Sequence, residues 1–250
     1  IQTAIGVATG ITLASGAEIS ADFVVSNSDA SLTYNNLIDP AEKKAKSERK
    51  NLAKTQKSLA GFSLLLGLRP SESEDKLSHH TILFPADYDA EFEAIFTQKK
   101  PVENPTIYIC APSDPLMVKD AGHESWFVLV NAPRHDESGQ NGFDWRDENF
   151  KHKYANSIID QIEARGIKIR ERLDVLEIRT PLDLQESVMA PGGSIYGTSS
   201  NSASAAFLRT KNRSPIKNLF CVGGSTHPGG GLPLVGISAE IVANAIGRAR

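Results

Sequence analysis

The stretch NLFCVGGSTHPGGGLPLVGISAEIVANAIGRAR, residues 218–250, decides how the rest of the chain is read. Leu219 to Val222 predicts a short buried strand, and Pro233 onward a helix running to the last residue. Between them lies a loop with Gly223, Gly224, Gly229, Gly230 and Gly231, stiffened by Pro228 and Pro233. Glycine lets main chain come very close to another group, and proline holds a turn in one shape. A helix opening at Pro233 aims its free N–H groups and the positive end of its dipole at whatever the glycines approach. That arrangement suits an electron-rich, partly anionic ligand. The spacing is not the G-x-G-x-x-G of a dinucleotide fingerprint, because Gly229, Gly230 and Gly231 run straight into Leu232 and Pro233. From the residues alone the loop is either a ligand cradle or a structural turn.

The same residues carry a resemblance. CVGGSTHPGGGLPLVGISAEIVANAI (221–246), with a Thr-His-Pro-Gly-x-Gly-x-Pro core from Thr226 to Pro233, resembles the C-terminal flavin-binding motif of bacterial-type phytoene and carotenoid desaturases, in the flavin amine-oxidase superfamily. Four further stretches follow in family order: FVVSNSDASLTYNNLI (23–38), LSHHTILFPADYDAEFEAIF (77–96), PTIYICAPSDPLMVKDAGHESWFVLVNAP (105–133) and FLRTKNRSPIKNLF (207–220). The resemblance implies FAD as cofactor. It puts Gly223, Gly224 and Thr226 on the ribityl and phosphate side, and Gly230, Gly231, Leu232, Pro233 and Val235 under or beside the isoalloxazine. It implies an oxidoreductase of the phytoene dehydrogenase kind, which desaturates a long apolar polyene by hydride transfer to the flavin. A carotene cis–trans isomerase of the same group, and a flavin-free module binding an apolar ligand, are the alternatives. The family's N-terminal strand–GxGxxG–helix unit does not occur in this sequence. The resemblance therefore covers a C-terminal portion, leaves catalytic residues unknown, and implies that this portion alone binds FAD weakly or not at all and is inactive.

Composition sets the remaining bounds. The 250 residues are 40% hydrophobic and 23% charged, enough to bury a real core as one large domain or two small ones. A net charge of −3 gives no overall attraction to nucleic acid. No apolar run nears the roughly 18 residues of a spanning helix, and no signal peptide is visible. The chain opens at Ile1 in mid-pattern, which reads as a piece of a longer protein. Cys110 and Cys221, the only cysteines, sit in apolar runs and read as buried free thiols, weak support for a reducing, cytoplasmic location.

Along the chain, Ile11–Leu13 and Ile19–Val25 predict a hairpin about Ser15-Gly16. Phe23-Val24-Val25 reads as a strand buried on both faces, and Asn27 to Asp29 offer N-caps for the helix that follows. Residues 41–57 predict a basic helix. Its bland reading is a solvated face; the sharper one is peripheral contact with anionic lipid through Lys43, Lys44, Lys46, Arg49 and Lys50. Nucleic acid is a poorer partner, since the stretch has no interleaved aromatics. SLAGFSLLLGL (58–68) reads as a strand broken by Gly61 and Gly67, with further strands at 80–84, 106–111, 126–131 and 175–178. Residues 87–96 predict a helix with Phe92 and Phe96 in the core. Residues 149–165 predict an amphipathic helix stopped by Gly166, and Thr180 caps a short helix.

Strands that do not alternate strictly with helices favour a mixed α/β (α+β) fold. The expected division is a partial Rossmann-like FAD-binding domain (1–28 and 190–250) and a largely antiparallel-sheet substrate domain with helices (29–189), whose sheet walls an apolar cavity. The C-terminal helix, with a narrow polar stripe of Glu240, Asn244 and Arg248, reads as packed inside its domain. No metal site is expected: His79 and His80, as strand neighbours, point to opposite faces, and neither cysteine has metal-like spacing. No G-x-S-x-G nucleophile motif occurs. His227 is either an acid–base group or a loop-shaping one through its side chain.

Overall fold

The computed structural model describes residues 1–71, 77–199 and 209–248. The chain forms two compact units, residues 1–58 with 187–250 and residues 59–186.

The first unit opens with a three-stranded antiparallel sheet, β1 (Gln2–Ala4), β2 (Val7–Thr12) and β3 (Glu18–Ser20). Gly16 at φ 85° closes the β2–β3 turn by donating its N–H to the Leu13 carbonyl, as the Ser15-Gly16 signal predicts. β4 (Val24–Ser26) leads to α1 (Ala30–Asn36), capped by the Asp29 carboxylate on the Ser31 N–H at 2.7 Å. A 3-10 turn (Lys43–Ala45) and α2 (Lys46–Lys54) follow. Residues 29–58 thus fall in the first unit, whereas the sequence groups them with the residues up to 189. The reason is packing: Tyr34 and Ile38, Ala45 and Leu52 share one core with Leu219 and Cys221.

The second unit is a five-stranded antiparallel sheet in the order β6-β7-β8-β5-β9, built from β5 (Ala60–Leu68), β6 (His80–Leu83), β7 (Ile107–Cys110), β8 (Glu124–Ala132) and β9 (Leu173–Arg179). β5 is continuous where two glycine breaks are expected. Gly61 and Gly67 lie where a Cβ would meet Leu129 and Val175 of the flanking strands at 2.9 and 3.1 Å, so they admit neighbours rather than interrupt the ladder. Ala60, Phe62, Leu64, Leu66 and Leu68 alternate onto one buried face. The same core holds Ile158, Ile159 and Ile162 of α4 (Glu148–Glu163), which is capped by Asp147. Phe62 stacks edge-on to Tyr154 at 4.9 Å and tilts on Trp145 at 5.4 Å. Both polar tips are satisfied, the indole N–H on the Pro133 carbonyl and the phenol on the Val102 carbonyl.

α3 (Asp89–Phe92) runs into a π-helical turn (Glu93–Gln98). That change of pitch buries Ile95, while Phe92 and Phe96 are only half-buried and stack on each other, so the expected core pair is a surface stack. α5 (Pro181–Val188) opens on a reciprocal cap: the Thr180 N–H donates to Asp183 and the Asp183 N–H to the Thr180 hydroxyl.

The chain then returns to the first unit, where β10 (Leu219–Cys221) pairs with β4 in parallel, followed by the glycine loop and α6 (Leu232–Ile246). Two outcomes depart from expectation. Val25 and Phe23 are exposed, whereas Phe220, the register partner of Val25, is buried. α6 stops at Gly247 (φ 88°) and buries only Ser238 and Val242, not most of its circumference. Leu232 stands 87% exposed and Ile237 46% exposed on a helix whose composition calls for cover.

Candidate functional site: the glycine loop and the start of the last helix

The loop from 222 to 231 is held by a buried polar knot. The Ser238 hydroxyl accepts from the Gly223 N–H (3.2 Å) and from the Asn212 amide (2.9 Å), and lies 3.3 Å from the Thr226 hydroxyl. Asn212 also donates to the carbonyls of Cys221 and His227, tying both ends of the loop to one side chain. The Thr226 hydroxyl donates to the Gly223 carbonyl at 2.9 Å, and Thr226 is wholly buried. It shapes the turn from inside, and its hydroxyl does not face outward. His227 takes part through its main chain, its N–H donating to the Thr210 carbonyl while the imidazole is exposed.

The glycines differ in what they approach. A Cβ on Gly223 would stand 2.5 Å from the Asn27 Oδ1, and one on Gly230 only 1.7 Å from the Tyr196 ring. These two admit the protein's own side chains. Arg209, largely buried, donates to the carbonyls of Tyr196 (2.6 Å) and Gly224 (3.1 Å) and so ties a second glycine-rich segment, with Gly192, Gly193 and Gly197, to the loop. Burial depresses its pKa from the ordinary value. Gly231 and Gly236, by contrast, have nothing within 4 Å of a Cβ position.

An open strip therefore starts at the mouth of α6. Gly231 caps the helix at φ 97° with no side-chain cap, leaving first-turn N–H groups available. Exposed Leu232 and Pro233 flank it, and half-buried Val235 lies 3.9 Å from the Cβ position of Gly224. A surface with free N–H donors, no Cβ atoms and apolar rims fits one edge of a flat, partly anionic ring system. Of the eight residues expected on sequence grounds, Gly231, Leu232, Pro233 and Val235 form this strip. Gly223, Gly224, Gly230 and Thr226 build the loop behind it. Sequence reasoning missed Asn212, Ser238, Arg209 and Tyr196, since nothing in local spacing marks a long-range hydrogen bond.

The second unit contributes a different surface. The sheet face turned away from α4 carries Leu65, Ile82, Phe127, Leu129 and Val175, exposed or half-buried. A separate cavity of about 880 Å³ is lined by Leu83, Ala90, Val102 and Ile107 but rimmed by Asp87, Glu93, Lys100 and Arg165, a poorer match to hydrocarbon.

Two expectations about side chains need correction. Arg49 is engaged with the carbonyls of Tyr34, Ile38, Asp39 and Pro40 at the end of α1, so it is not available to a lipid surface. His79 lies before β6, not within it, so strand alternation does not separate it from His80; the two rings lie 4.4 Å apart beside Cys110. Cys110 is half-buried and Cys221 fully buried, both as free thiols.

Comparison with known proteins bears on the same elements. The chain is 38% identical over 242 residues to a 1-hydroxycarotenoid 3,4-desaturase of Flavobacterium sp., covering 95% of the chain and 46% of that protein. It is 34% identical over 94% of its length to a lycopene-forming phytoene desaturase of Paracoccus sp. (46% of that protein). The chain belongs to the phytoene and carotenoid desaturase family. A 4,4'-diaponeurosporene oxygenase of Staphylococcus haemolyticus is 30% identical over 95% of the chain and 46% of its own length. This family member thus spans about half the length of the curated relatives it matches. In fold it is similar to an oxidoreductase from Methanosarcina mazei, with a TM-score of 0.55 at 15% identity, covering 97% of this chain and 47% of that one. No family model matches it. Among the described residues no helix is long and apolar enough to cross a membrane.

Proposed function

We propose that this chain supplies the flavin-contacting loop and the substrate wall of an FAD-dependent carotenoid desaturase. The observation that carries the reading is the open strip at Gly231 and Gly236, which heads a helix whose apolar side chains Leu232 and Ile237 stand exposed among the described residues. Relatives named as desaturases support it. When bound, the flavin supplies hydride acceptance from an allylic C–H. The chain's own residues do the positioning. First-turn N–H groups after Gly231 and the α6 dipole favour negative charge at the ring edge. Leu232, Pro233 and Val235 exclude water from that edge. Asn212 and Ser238 keep the loop in one shape, so no reorganisation is needed on binding.

The apolar sheet face with Leu65, Ile82, Phe127, Leu129 and Val175 aligns an elongated polyene. Such a substrate delocalises developing charge over its double bonds, which agrees with a wall built mainly of apolar side chains. We further propose that FAD binds the intact protein and binds this chain alone weakly or not at all. Lys43, Lys44, Lys46 and Lys50, exposed on one segment, are the candidates for peripheral contact with anionic lipid.

The intact protein, purified and given phytoene or a hydroxylated carotenoid in detergent, tests the proposal by mass spectrometry. Desaturation removes two hydrogens per step and lengthens the chromophore. Unchanged mass with altered geometry would make it an isomerase, and added oxygen an oxygenase like the Staphylococcus relative. Protein without flavin absorbance would favour a flavin-free binding module.

A further inference from the structure

At the edge of the substrate-side sheet, a second cluster has no part in the flavin strip. The β6–β7 register sets His80 opposite Cys110, so the two side chains leave the sheet on one face, with Cβ atoms about 4.5–5.5 Å apart. His79, just before the strand, lays its ring against His80. One ligand atom from each of His79, His80 and Cys110 lies within 4.8 Å of the other two. Both imidazoles are exposed and the thiol is half-buried. Tyr108, two residues before Cys110 on the same face, hydrogen-bonds the His80 Nδ1 at 2.8 Å.

We propose that His79, His80 and Cys110 bind one divalent transition-metal ion of the Zn²⁺ class, with a fourth position left to water. Two imidazoles and a thiolate are a borderline-soft donor set, which selects such ions over Mg²⁺ and Ca²⁺, whose ligands are oxygens. Tetrahedral bonds of about 2.0–2.1 Å to nitrogen and 2.3 Å to sulfur place ligand atoms roughly 3.3–3.7 Å apart. The three atoms must close by about an ångström, which rotation of exposed side chains supplies. Tyr108 on Nδ1 leaves Nε2 of His80 for the metal and fixes the ring, the usual outer-shell support for a ligating imidazole. On binding, the Cys110 thiol releases its proton to solvent, so affinity rises with pH. The ion ties the edge strand β6 to β7.

Titration of the intact, chelator-treated protein with Co²⁺ tests this. One equivalent should bring a thiolate-to-cobalt band in the near ultraviolet and d–d bands at longer wavelength than flavin absorption, both lost on adding Zn²⁺. C110S should remove the charge-transfer band, and H79N and H80N should each weaken Co²⁺ at least tenfold. Y108F should weaken it about 10–100-fold, the usual effect of losing an outer-shell partner. Spectra that never develop, or that survive the His79 and His80 substitutions, overturn the proposal. If C110S does not fold, the H79N/H80N double variant, altered only at exposed positions, decides the question.

Discussion

The ring of Tyr196 occupies the place where a side chain on Gly230 would stand: a Cβ there would fall 1.7 Å from Cδ1 and 2.5 Å from Cε1. The contact joins two glycine-rich segments far apart in sequence, and Arg209 reinforces it by bonding carbonyls in both. Gly230→Ala should therefore push the ring aside. Because Tyr196 is half exposed, the ring can swing outward, and the cost should sit at the lower end of the overpacking range, about 1 kcal/mol. Y196A should remove most of that cost in the double variant, a coupling that denaturant titration of the four proteins reads directly.

Gly223 offers a sharper case. It combines φ 101° with a Cβ position 2.5 Å from the Asn27 Oδ1. G223A should destabilise by more than about 1 kcal/mol, since both backbone and contact oppose it. G16A has a comparable φ of 85° but open space around it, and should lose no more than about 1 kcal/mol. Equal losses at the two sites would show that the Asn27 contact has no weight.

Ser238→Ala removes the one hydroxyl shared by Gly223, Asn212 and Thr226. Leaving buried partners unpaired costs about 1–3 kcal/mol. The variant should also release flavin faster from the intact protein, because the loop loses its central tie. Flavin fluorescence on dilution measures that release.

The two thiols should behave differently. Burial first, with the charge of Glu48 adding to it, pushes the Cys221 thiol up to about 11. At pH 8 almost none of it is thiolate, so a thiol reagent should label Cys110 first and Cys221 only on unfolding. The sign for stability follows from the same shift. The folded state favours the protonated thiol, so this contribution is complete below the unfolded value near 9 and is lost as pH climbs toward 11. Two pH units correspond to roughly 3 kcal/mol. C221A should flatten that part of the alkaline unfolding profile.

Much of the fold follows from local pattern. Asp29, Asp147 and Thr180 cap the helices they precede. Alternation in 60–68 chooses the buried face, and the glycine loop between β10 and α6 appears where Leu219 and Pro233 bracket it. These features depend on neighbours within a few residues, so the chain carries them in its letters. The placing of residues 29–58 has the opposite cause. Tyr34 and Leu52 join a core completed by Ile216 and Leu219, over 150 residues later, which position along the chain does not reveal.

By itself the sequence determined the order of elements, the family resemblance and the glycine-rich segment proposed to face a ligand. Tertiary structure alone decided that Thr226 turns inward, that Tyr196 fills the space over Gly230, that α6 keeps its apolar side uncovered, and that His79 and His80 meet Cys110. Each of those facts depends on strand register and on contacts between distant segments, which no local spacing encodes.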